Sequence, residues 1–83
     1  MGREFYSQAV VKAYDESGAF VCEEIIPKVQ FDTEGADLLI SKERRVQNGI
    51  RFISVRTFDS AGKRQIDWRL KYAADGVLLR QDA

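Results

Sequence analysis

The sequence predicts an α+β fold: an antiparallel β-sheet of about five strands in the order β-β-α-β-β-β, with one helix packed on a face. Three observations carry this. Apolar, β-branched and aromatic residues cluster in runs over 5–14, 20–31, 50–58 and 64–72. Asp-, Ser- and Gly-containing segments join these runs in pairs. One stretch alone, 33–48, carries helix-start and helix-stop chemistry.

The first strand, 5–14, enters the turn Asp15-Glu16-Ser17-Gly18 and returns as 20–31. Pro27 interrupts the return strand. Proline has no N–H to give a ladder, so the strand must bulge there or run along an open edge. The helix over 33–48 starts at Asp32 or Thr33, places Glu34 and Asp37 in its first turn, and ends on Lys42, Arg44 and Arg45 before Asn48-Gly49. Its apolar stripe is Ala36, Leu39, Ile40 and Val46, interrupted by Glu43. A short strand over 37–41 is the rival reading of the middle of this segment. Strands 50–58 and 64–72 pair through Asp59-Ser60-Ala61-Gly62, and Ala74-Asp75-Gly76 turns the chain into a last strand, 77–80.

A register follows from the second turn. If Asp59 pairs with Lys63, then Phe58 faces Arg64, Ser54 faces Trp68 and Phe52 faces Leu70. One face then gathers Ile50, Phe52, Ile66, Trp68, Leu70 and Tyr72, with Trp68 at the centre of the core. The other carries Arg51, Ile53, Val55 and Thr57 opposite Gln65, Asp67, Arg69 and Lys71. The same register in the first hairpin groups Phe5, Ala9, Val11, Ala13, Val21, Ile25 and Val29. Its other face holds Tyr6, Val10, Tyr14, Phe20, Cys22 and Ile26. The two turns share a chemical pattern, Val11-Lys12-Ala13-Tyr14-Asp15 against Val55-Arg56-Thr57-Phe58-Asp59. The expected apolar faces differ in parity, which counts against duplication.

A length of 83 residues makes one domain with a thin core. Cys22 is the single cysteine, so no internal disulfide forms, and a small unstapled domain gains stability by oligomerising. The chain has no histidine, which removes the commonest general base and metal ligand. Cys22 therefore lacks its usual activating partner, and a buried structural role is expected. Glu23 and Glu24, adjacent on a strand, point to opposite faces and do not form an acid–base pair. Catalysis, a metal site and a cofactor are not expected. The first residues lack the apolar run of a signal peptide, and no stretch is long enough to span a membrane, so a cytoplasmic protein is expected.

The net charge of zero is unevenly spread. Residues 1–41 hold three Lys/Arg and eight Asp/Glu, and residues 42–83 hold ten and five. Two binding functions are consistent with this. The first is a protein-interaction module, such as an adaptor, an inhibitor or a mobile-element accessory protein. It would be homodimeric and use Tyr6, Tyr14, Phe20 and Ile26 as its partner or dimer patch. The second is a nucleic-acid-binding domain using Lys42, Arg44, Arg45, Arg51, Arg69 and Lys71. Single-strand binders need aromatic rings beside the cations. The register above puts Phe52 and Trp68 on the face away from Arg69 and Lys71, which disfavours single-strand binding and leaves backbone binding to a duplex by charge alone.

Overall fold

In the structure, a computed structural model, residues 4–31, 39–59 and 61–82 are described. The elements are β1 (Glu4–Asp15), β2 (Phe20–Phe31), α1 (Lys42–Asn48), β3 (Ile50–Phe58), β4 (Arg64–Tyr72) and β5 (Leu78–Asp82). They build one antiparallel sheet in the order β2-β1-β3-β4-β5, with the helix on one face. β2 lies at the edge, which resolves the position of Pro27. It sits opposite Gln8 in a continuous ladder and needs no second neighbour.

The three hairpins turn in the same way. Asp15, Asp59 and Ala73 each donate their N–H to the carbonyl four residues on, and Gly18, Gly62 and Gly76 donate back to them. The glycines have φ of 88°, 82° and 87°, a conformation costly for any residue with a Cβ. Each return strand then holds one extra residue. Val21 stands between the pairs Tyr14–Phe20 and Ala13–Cys22. Gln65 and Ile66 together oppose Thr57, and Leu79 stands between the pairs Tyr72–Leu78 and Lys71–Arg80.

These insertions overturn the expected register. Phe58 does face Arg64, but beyond it Val55 faces Trp68, Ile53 faces Leu70 and Phe52 faces Lys71. The reason lies in β1, the other neighbour of β3. Ala9, Val11 and Ala13 are buried, and they pair with Thr57, Val55 and Ile53. The alternative would bury Lys12 and Arg56 in the middle of the sheet, and an unpaired charge costs more there than any apolar side chain returns. The extra residue after the turn lets the turn and this burial coexist. A further shift between Tyr14–Phe52 and Asp15–Ile50 brings Ile50 inward as well.

The core therefore comprises Ala9, Val11, Ala13, Ile40, Ile50, Ile53, Val55, Leu70 and Tyr72. Trp68 is half-buried at its margin, not its centre, and Val21, Cys22, Ile26 and Leu39 pack against it. Ile25, expected inside, is exposed.

The single helix expected over 33–48 is interrupted. Residues 32–38 lie outside the described residues. Ile40 and Ser41 are not helical, and α1 starts at Lys42. Ser41 is its N-cap and accepts a hydrogen bond from Arg44 N–H at 3.3 Å. The break sends Ile40 fully into the core. It also rotates Val46 to the surface and turns Arg45 inward. Arg45 donates to the carbonyls of Ile40 and Gly76, the latter at 3.2 Å, and lies over the Tyr72 ring at 4.4 Å.

Candidate binding face

Burial of odd-numbered residues from β1 and β3 sends their even-numbered neighbours to the opposite face, and no described helix covers it. Across the sheet from β2 to β5, one row is Phe20, Tyr14, Phe52, Lys71 and Arg80. The next is Glu23, Lys12, Ser54, Arg69 and Asp82. Three rings thus run directly into two cations. Phe20 meets Tyr14 edge-on, with ring centroids 6.1 Å apart. A groove of about 430 Å³ follows this row, lined by Tyr14, Phe52, Ser54, Arg69, Lys71, Arg80 and Asp82.

The electrostatics of the face are uneven. Lys12 lies 3.8 Å from Glu23, Arg56 3.5 Å from Asp67 and Arg80 3.2 Å from Asp82. Arg69 and Lys71 are exposed, with no ion-pair partner among the described residues. At the end of the first hairpin, Asp15 is held below the usual carboxylate range. The Ser17 hydroxyl donates to its Oδ1 at 2.7 Å, and the N–H groups of Ala19 and Ser17 donate at 2.9 Å each.

The expected site residues separate. Tyr14 and Phe20 do share the open face, but Ile26 packs against the core from the other side, because the extra residue Val21 reverses the parity of β2. Tyr6 pairs with Val29 in the β1–β2 ladder, and its side chain lies outside the described ones. The six expected cations do not form one surface. Arg69 and Lys71 are on the open face, whereas Lys42 and Arg44 lie on the helix across the sheet. Arg44 reaches Glu24 at 2.9 Å. Arg45 is buried, and Arg51 sits 3.9 Å from Glu16 beside the first turn. These last two ion pairs join the acidic half of the chain to the basic half.

Phe52, Ser54, Lys12, Arg56 and Arg80 were not among the expected residues. Arg56 carried the usable signal: it shares parity with Phe52 on β3, so keeping the charge in water exposes the ring too.

Cys22 is half-buried on the covered face, opposite Ala13. Among the described residues, no three of Cys, Asp and Glu converge on a point, and no described helix is long and apolar enough to cross a membrane. The fold and face define a small α+β domain with one sheet face covered by the helix and the other open among the described residues. No protein-family model, curated protein or solved structure matches the chain.

Proposed function

We propose that the protein is a non-catalytic binding module that takes single-stranded nucleic acid across its open sheet face. One observation carries this reading. Tyr14 and Phe52 are cross-strand neighbours, and Lys71 and Arg69 stand on the next strand of the same face. Unpaired bases stack on aromatic rings, and cations beside the rings hold the backbone. The zero net charge does not oppose this, because Glu23, Asp67 and Asp82, the acids of the face among the described side chains, are engaged with Lys12, Arg56 and Arg80. A cytoplasmic setting is part of the same reading.

The test is fluorescence anisotropy with a labelled single-stranded oligonucleotide and its duplex at low salt. The single strand is expected to bind more tightly than the duplex. Phe52→Ala should weaken it by about 1–3 kcal/mol, the cost of one lost stacking platform. Failure of any single strand to bind would reject the proposal.

A second reading is favoured by the β2 side of the face. Phe20 and Ile25 are 58% and 56% exposed there, and the nearby Lys12 is paired with Glu23. A second copy of the chain or another protein would cover these apolar groups. Light scattering separates the readings. A stable dimer that excludes oligonucleotide would favour a protein interface, and a monomer that binds oligonucleotide would favour the first reading.

A further inference from the structure

The two hairpins are related by a local two-fold passing between Val11 and Val55. The offset that carries Val11 to Val55 also carries Asp15 to Asp59 and Gly18 to Gly62. It maps the ion pair Lys12–Glu23 onto Arg56–Asp67. Each hairpin therefore neutralises a cation at the same place.

The correspondence breaks two positions further along. Where the first hairpin has Ile25 beside Val10, the second has Arg69 beside Ser54. Where the first has Pro27 beside Gln8, the second has Lys71 beside Phe52. The face is thus apolar toward β2 and cationic along β4. Arg80, also on this face, is held by Asp82.

Resting on the function proposed above, we infer that Arg69 and Lys71 together hold two successive phosphates of the bound strand. The two residues are alternate positions on β4, about 6.7 Å apart along the strand. The ligand backbone follows β4, and its bases lie inward over Phe52 and Tyr14. Lys12, Arg56 and Arg80 stay with their carboxylates and take no phosphate.

Counterion release turns this into a measurable slope. Each phosphate neutralised on a single strand contributes about −0.7 to the dependence of log K on log salt, so two give about −1.4. The experiment is anisotropy with a labelled oligothymidylate between about 50 and 200 mM salt. Arg69→Gln and Lys71→Gln should each halve the slope, and the double variant should remove most of it. Arg56→Gln should leave the slope unchanged. Phe52→Ala should weaken binding and keep the slope. Thermal melts of each variant confirm folding, and the exposed Arg69 and Lys71 tolerate glutamine.

Oligothymidylate binding whose slope survives the double variant, or falls with Arg56→Gln, would overturn this assignment while leaving the binding function standing. Thymidine monophosphate binding as tightly as the oligomer would overturn the two-phosphate footprint. No binding by the unaltered protein would overturn both the function and this inference.

Discussion

Val11 and Val55 face each other at the centre of the sheet, and each holds the same place in its own hairpin. Both are fully buried. Truncating either to alanine removes two methyl groups and leaves a cavity, so each should cost about 2 kcal/mol of stability. The two costs should be alike. Because the side chains belong to directly paired residues, the double variant should depart from their sum by at least about 0.5 kcal/mol. Urea unfolding of the two single variants and the double variant checks this. Strongly unequal single costs would show that the two-fold of the backbone does not extend to the packing.

Arg45 contributes to the fold, not to a binding face. Its guanidinium joins Ile40, just before the helix, to the third turn at Gly76 and covers Tyr72. Arg45→Ala should destabilise by about 3 kcal/mol, through lost charge-assisted hydrogen bonds and the lost contact with the ring. Arg45→Lys should recover only part, since an ammonium lacks the planar fork that reaches both carbonyls. Neither variant, when folded, should change the salt dependence of oligonucleotide binding.

The turn glycines should not be equally replaceable. Gly18→Ala meets only the left-handed backbone penalty, about 1–2 kcal/mol, because a Cβ there has open space. At Gly76 the same backbone penalty applies, and a Cβ would also come within 2.9 Å of Lys42 Cγ. Gly76→Ala should therefore lower the melting temperature more than Gly18→Ala.

Asp15 should make the first turn acid-sensitive. Its carboxyl is depressed in the folded chain by the Ser17 hydroxyl and the Ala19 and Ser17 amides. A depressed carboxyl stabilises the fold above its unfolded pKa of about 3.9, and the effect is lost as pH falls through the lower folded value. Asp15→Asn should lower the melting temperature at neutral pH, and the difference from the unaltered protein should vanish in strong acid. A difference constant with pH would rule out the ionised carboxyl as the cause.

Most of the fold was legible in the sequence. The five strands lie close to where alternation and turn chemistry placed them, and the helix stop at Asn48-Gly49 is where it was expected. The faces were not legible, because each hairpin carries an extra residue on its return strand with no sequence mark of its own. The β3–β4 pair alone favours burying Phe52. With β1 on the other side of β3, Lys12 and Arg56 decide the face, and they force Phe52 outward beside Lys71. That one reversal turns an apparent separation of rings and cations into a shared surface. Arg45 departs from the expected group of binding cations for a related reason: the break at Ser41, which has no sequence mark of its own, turns it inward.

The most direct test is to map amide chemical shifts of labelled protein during titration with a short oligothymidylate. The expected shifts fall on Tyr14, Phe52, Ser54, Arg69 and Lys71, while Lys42, Arg44 and Gln47 on the helix stay still. Shifts confined to the helix side, or none at saturating oligonucleotide, would contradict a nucleic-acid site on the open face.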